Sequence, residues 1–182
     1  MTPRTRNRIG LVLILLLFAA PLVTAYVLNA LGWRPAGMRN YGTLIEPPQD
    51  LTTARLVYTD GKAILWKDDA WSWTVFAIPG PTCAQACLER IDELRRARLT
   101  LNQNAYRVNV VVLGDLADDA LAAMKPVRVA RDLDGRLASL RPGGADEVAV
   151  AFADPHGFLV LRYAPGYDAN KLRKDLARVV KN

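Results

Sequence analysis

The sequence is poorest in histidine and cysteine, with one His and two Cys in 182 residues. A single histidine, His156, gives no histidine-rich metal site and supports no catalytic triad. Two cysteines exclude a four-thiolate zinc site, which needs a second pair. No phosphate-cradling glycine motif is present: Gly80 is isolated, and Gly143-Gly144 lacks the following Lys-Ser/Thr and the strand–helix context. There is no internal repeat and no low-complexity tract. The charge of +6 is moderate. Arg4, Arg6 and Arg8 supply a large part of it and have a better explanation than nucleic acid, so no nucleic-acid partner is expected.

Those arginines precede residues 9–31, a run without charge in which Thr24 and Asn29 are the clearly polar side chains. About 20 apolar residues suit a bilayer crossing. Basic residues before the span place residues 1–8 in the cytoplasm and the bulk of the chain outside. A cleaved signal peptide competes, with an apolar core over 11–20 and a small-residue site at Val23-Thr-Ala25. The apolar run continues past Ala25 to Leu31 and is followed by Trp33, an interfacial aromatic, which favours a retained anchor. Either reading puts the domain in an oxidising compartment where a cysteine pair can close.

The two cysteines are Cys83 and Cys87. An apolar strand runs into Pro79-Gly-Pro81, and this turn delivers Cys83 to the start of a helix expected over 83–99. Residues four apart on a helix lie on one face, about 5–6 Å apart at Cβ, and a small adjustment permits a disulfide. A helix N-terminus favours thiolate, which is both a nucleophile and a soft-metal ligand. Thiol–disulfide exchange and Cu(I) binding are therefore both open, beside a purely structural pair.

Taken in order, residues 32–50 read as a linker broken by Pro35, Gly37, Gly42, Pro47 and Pro48. A strand over 51–58, the hairpin signal Asp60-Gly61 and a partner over 63–66 follow. A strand over 71–78 would put Trp71 and Trp73 on one face. In the helix after it, Cys87, Leu88, Ile91, Leu94 and Ala97 form an apolar stripe, and its arginines make a solvated surface. Strands are expected over 108–113, 127–130, 147–153 and 158–163, with Asp154-Pro-His-Gly157 as the turn between the last two. A short helix over 116–124, carrying Asp118-Asp119 as a solvated face, would stop at Pro126. A closing helix over 169–180 has Leu172, Leu176, Val179 and Val180 on its apolar side. Alternating strands and helices call for a sheet with helices on both faces. The order hairpin, β-α-β-α, hairpin, α gives an α/β fold of the thioredoxin-like arrangement over residues 51–182, with an N-terminal transmembrane helix.

On these features the chain resembles the SCO family, membrane-anchored thioredoxin-fold proteins that act in assembling the copper centre of cytochrome c oxidase. The resemblance covers residues 40–180. It rests on the Asn40-Tyr-Gly-Thr-Leu-Ile45 segment, the strand before Pro79-Gly80, the C-x3-C of Cys83 and Cys87, and the Asp154-Pro-His-Gly157 hairpin. It implies a single-pass protein of the bacterial inner membrane with its C-terminal domain in the periplasm. It also implies oxidase subunits or assembly factors as partners, and Cys83 and Cys87 as redox thiols or Cu(I) ligands.

One departure bears on copper. The family's distal histidine ligand falls near Asp146 here, with Glu147 beside it, and a carboxylate is a poor substitute on Cu(I). His156 cannot replace it. A strand over 147–153 is about 20 Å long and carries His156 to the end of the sheet away from Cys83. Two thiolates could hold Cu(I) alone or with a partner's ligand. In metal-free exchange Cys83, nearer the strand, would attack and Cys87 would resolve. Pro142 lies several residues before the place where a thioredoxin's cis-proline would stand. Three functions follow: oxidase biogenesis through the pair, general thiol–disulfide exchange, and a non-catalytic interaction domain with a structural disulfide.

Overall fold

The structure is a computed structural model and describes residues 3–32, 40–115 and 123–181. It contains two compact units, Met1–Arg39 and Asn40–Asn182. In the first, helix α1 spans Pro3–Ala30. Its segment Arg8–Ala30 has a mean hydropathy of 2.7, so it is long and apolar enough to cross a bilayer. The second unit is an α/β domain of the thioredoxin-like type. The expected helix over 116–124 lies largely outside the described residues, as do Trp33 and the Asp118-Asp119 pair.

Among the described residues the domain has one sheet. Its strands are β1 (Thr43–Asp50), β2 (Leu56–Tyr58), β3 (Trp73–Pro79), β4 (Val108–Leu113), β5 (Arg128–Asp132), β6 (Val148–Ala153) and β7 (Phe158–Tyr163). Their spatial order is β1-β7-β6-β3-β4-β5-β2. Helix α2 (Gln85–Leu99) connects β3 to its parallel neighbour β4. The hairpin β6–β7 returns antiparallel beside β3, and helix α3 (Ala169–Val179) closes the chain. Strands β3 and β6 are central and covered on both sides, which is why their sequences, WTVFAIP and VAVAFA, are almost unbroken apolar runs.

Alternate residues of β3 divide the core. Val75 and Ala77 face α2 and α3, joining Cys87, Ile91, Leu94, Leu172 and Leu176. Phe76 and Ile78 face the other side, with Leu51, Leu56, Ile64, Leu137 and Leu159. Each fully buried Val, Leu, Ile or Phe among them contributes roughly 1.5–3 kcal/mol. The expectation of helices on both faces includes the helix over 116–124, which lies largely outside the described residues. Helices α2 and α3 share one face, whereas the second is sealed by the segments carrying Leu51–Ile64 and Leu137.

Other expectations change. Residues 43–50 are a strand, although they hold Pro47 and Pro48. As an edge strand, β1 pairs on one side alone with β7, and its register shifts between Leu44 and Gln49, so prolines there interrupt no interior ladder. The strand expected over 51–58 is reduced to β2, which pairs with β5. Asp60-Gly61 does turn the chain, with Tyr58 N–H donating to Lys62 O at 2.8 Å, but the return contributes a single bridge, Val57 to Ala63. Trp71 precedes β3 in a turn, at φ +49°, rather than sharing a strand face with Trp73. Strands β4 and β7 have the bounds the sequence indicates, and the other elements shift at their ends.

Candidate functional site

β3 ends at Pro79, and Gly80-Pro81-Thr82 carry the chain to Cys83 at the sheet edge of α2. Helix α2 begins at Gln85, two residues later than expected. Cys83 therefore stands just before the helix and Cys87 in its first turn. The two form a disulfide with a Cα–Cα separation of 5.1 Å. Cys87 is completely buried within the core under α2. Cys83 is partly exposed, and Pro81, Thr82, Ala84, Gln85 and Ala86 around it are exposed or half-buried. The pair thus has an outer sulfur on an open rim and an inner one in the core.

The first turn of α2 has no capping side chain of its own, because the N-cap residue is Ala84. A carboxylate from the loop before β6 takes that role. Asp146 Oδ1 accepts hydrogen bonds from Ala84 N–H at 2.7 Å and Cys87 N–H at 2.9 Å, and Oδ2 accepts from Ala86 N–H at 3.0 Å. These are donors that a helix start otherwise leaves unpaired. The Cys87 N–H bond, with those from Ala84 and Ala86, holds the Asp146 carboxyl below the usual carboxylate range. Asp146 adopts φ +62°, a left-handed conformation that Asp tolerates better than most residues.

The same loop is fastened to the strand–helix turn by its backbone. Gly80 N–H donates to Glu147 O at 2.9 Å, and Asp146 N–H donates to Thr82 O at 3.1 Å. The first continues the β3–β6 register past Pro79 and Val148, and the second is displaced from it by one residue. The approach is too close for side chains: a Cβ on Gly80 would strike the Gly144 carbonyl oxygen, and one on Gly144 would strike the Glu147 carboxylate. Arg141–Pro142 is not cis; among the described residues the cis peptide bonds are Glu46–Pro47 and Lys125–Pro126.

His156 is where the topology argument places it. Ala153, at the end of β6, pairs with Thr74 at the start of β3, whereas Val148 pairs with Pro79 at the cysteine end. Its side chain is 49% exposed and packs edge-on to Trp71. Among the described residues no group of three His, Cys, Asp or Glu side chains could hold a metal ion. The donors near the pair do not fit a self-contained Cu(I) site. The two sulfurs are bonded to each other, and both oxygens of Asp146, a hard donor, are already engaged by N–H groups. On α2, Arg90 pairs with Glu93, and Arg95 and Arg96 pair with Asp92, in keeping with a solvated surface.

A second carboxylate is one that sequence reasoning missed. Asp175, 2% exposed, accepts from Tyr41 N–H at 2.6 Å, Gly42 N–H at 3.1 Å and Tyr163 O–H at 2.5 Å, and pairs with Arg178 at 2.9 Å. It ties the entry to β1 onto α3. Burial first, then the bond to Asp175, raises the Tyr163 hydroxyl pKa. A readable signal existed, since Asp175 sits within the apolar stripe of Leu172, Leu176 and Val179. Asp146 gave no local signal as a cap, because its partners lie 59 to 62 residues earlier.

Comparison with known proteins agrees with this architecture. Residues 73–182 match the family model "Transmembrane-like, thioredoxin-like, C-terminal domain". No curated protein matches the chain. Similar solved structures include copper-bound ScoI of Arabidopsis thaliana, at 14% identity and a TM-score of 0.51, covering 77% of this chain and 98% of that one. Copper-bound ScoI of Bradyrhizobium japonicum matches at 16% identity and TM-score 0.48, over 76% of this chain and 98% of that one. A thiol:disulfide interchange protein DsbE from Chlorobium tepidum matches at 16% and 0.47, over 76% and 96%. At these identities the likeness concerns the fold alone. The chain belongs to the transmembrane-like, thioredoxin-like C-terminal domain family.

Proposed function

We propose that this member of the family is a membrane-anchored thiol–disulfide exchange protein, with Cys83 and Cys87 as its working pair. The observation that carries the reading is the asymmetry of the disulfide, one sulfur on an exposed rim and the other fully buried at the first turn of α2. A partner thiolate attacks Cys83 Sγ, the Sγ–Sγ bond breaks, and the electron pair leaves on Cys87 Sγ, which takes up a proton. The product is a mixed disulfide at Cys83. A second partner thiolate attacks the partner sulfur of that bond, releasing Cys83 as a thiol and the partner as a disulfide. In reverse, the Cys87 thiolate resolves the mixed disulfide. The domain would face the periplasm from a bacterial inner membrane, where the oxidised form persists.

A second reading keeps the same residues in oxidase biogenesis, with reduced Cys83 and Cys87 as ligands of a Cu(I) site completed by a partner such as an oxidase subunit or assembly factor. What favours it is the C-x3-C on a fold shared with copper-bound ScoI. The donor set around the pair favours metal-free exchange instead.

One experiment separates them. The full chain in mild detergent is equilibrated with thiol–disulfide buffers, then reduced and titrated anaerobically with Cu(I) against a competing chelator. The doubly substituted chain, Cys83→Ser/Cys87→Ser, is titrated in parallel. Exchange predicts a potential within the span of known exchangers, roughly −270 to −120 mV, and the same weak copper uptake with cysteines as with serines. A potential below about −300 mV would mark a structural disulfide and overturn the proposal. Tight one-to-one Cu(I) binding that the serine substitutions abolish would replace it with the second reading.

A further inference from the structure

Asp146 brackets the outer cysteine. Its backbone N–H donates to Thr82 O, one residue before Cys83. Its carboxylate accepts from Ala84 N–H, one residue after, and from Ala86 and Cys87 N–H in the helix. One residue therefore fixes both flanks of Cys83 and the backbone of Cys87. These anchors come from the loop before β6 and engage backbone groups rather than the sulfurs. The loop holding Asp146 is itself fixed by Gly80 N–H to Glu147 O and by the Gly80–Gly144 approach.

We infer that Asp146 is a positioning residue that sets the redox poise of the Cys83–Cys87 pair, holding it towards the disulfide. The inference rests on the exchange reading above and deepens it. Two effects act in the same direction. When the disulfide opens, the bracket keeps the two thiols near their closed separation, so their effective concentration towards each other stays high. The fixed negative charge also occupies the N–H groups that would otherwise stabilise a thiolate at this helix start. Each disfavours the reduced pair relative to the disulfide, and so lowers the reduction potential.

The test uses the full chain in mild detergent, equilibrated with graded thiol–disulfide buffers, glutathione across the exchanger range and dithiothreitol below it, and read by a maleimide gel shift. In each turnover two glutathione thiols, or one dithiothreitol, give up two electrons and two protons and form their own disulfide. The Cys83–Cys87 bond breaks, and each sulfur takes one electron and one proton. Asp146→Ala removes both charge and bracket; Asp146→Asn removes the charge and keeps one acceptor oxygen. The expected result is an equilibrium shifted about tenfold towards the reduced form in Asp146→Ala, equal to about 30 mV, with Asp146→Asn between it and wild type. Urea unfolding of each chain, oxidised and reduced, accompanies the titration. A merely structural cap would weaken both redox states equally and leave the potential unchanged, and that result overturns the inference. So would a shift towards the disulfide. Failure of the exchange reading shows separately, as a wild-type potential below the exchanger range, because glutathione and dithiothreitol buffers together report the shift on substitution on either side of that limit.

Discussion

Reducing the Cys83–Cys87 disulfide should weaken the domain by about 2 kcal/mol without unfolding it. The magnitude follows from the size of the closed loop. The cysteines are four positions apart, and in the chain-entropy model so short a loop restricts the unfolded state by about 2 kcal/mol. Little else should be lost. Cys87 as a free thiol is a small apolar side chain suited to the core it already occupies. The start of α2 keeps its cap from Asp146. The clusters on both faces of the sheet extend well past the pair. Against a typical domain stability of about 5–15 kcal/mol, the reduced chain stays folded, which an exchange protein requires if it is to cycle. The assay is urea unfolding of the chain in mild detergent, with and without reductant, followed by tryptophan fluorescence. With a urea slope of about 1–3 kcal/mol/M, the midpoint should fall by about 1 M. Unfolding on reduction in the absence of urea, or a loss above about 4 kcal/mol, would refute the reasoning and make the bond a structural staple.

Asp175→Ala should cost about 3 kcal/mol, because it strips the acceptor from Tyr41 N–H, Gly42 N–H and the Tyr163 hydroxyl, and unsatisfied buried donors cost about 1–3 kcal/mol each, less where water can reach them. Urea midpoints check it, and a loss under about 1 kcal/mol would mean that water replaces the carboxylate. Acid should also destabilise the domain in a definite window. Thr52 side-chain and backbone donors lower the Asp50 pKa, and the Cys87 N–H bond first among others lowers that of Asp146. Carboxyls held below their ordinary value near 4 stabilise the fold fully above that pH, and the contribution disappears as pH falls through the folded values. Asp50→Asn should flatten this acid limb in unfolding measurements between about pH 5 and pH 2, and an unchanged limb would refute its share.

What could be read from the sequence was what depends on near neighbours in the chain. The apolar runs of β3, β4 and β6, the stripe of α2 and the turn at 154–157 follow from local periodicity, and their order led to the thioredoxin-like arrangement. The antiparallel return of β6 also put His156 at the end away from the cysteines, on strand direction and length alone. The misreadings have one cause. Pro47 and Pro48 oppose a strand locally, but they sit on a sheet edge where a missing N–H interrupts no interior ladder. Trp71 has strand chemistry, yet the turn from Asp68 captures its N–H at 3.0 Å and delays β3 by two residues. In each case the surrounding structure outweighed local preference.

The candidate site shows the same division more sharply. The cysteines announce themselves by rarity and spacing, whereas the residue that organises them comes from a loop some sixty positions later in the chain. Resemblance drew attention to position 146 because a soft third donor was missing there. The structure shows that this position is engaged in other work: its oxygens accept from three backbone N–H groups of the cysteine segment. Turning Asp146 towards a metal would uncap α2 and release the flank of Cys83. Capping and ligation therefore compete for the same carboxylate. A site that keeps the cap gives up the third ligand and gains a fixed cysteine geometry, which the exchange proposal requires and the copper proposal does not.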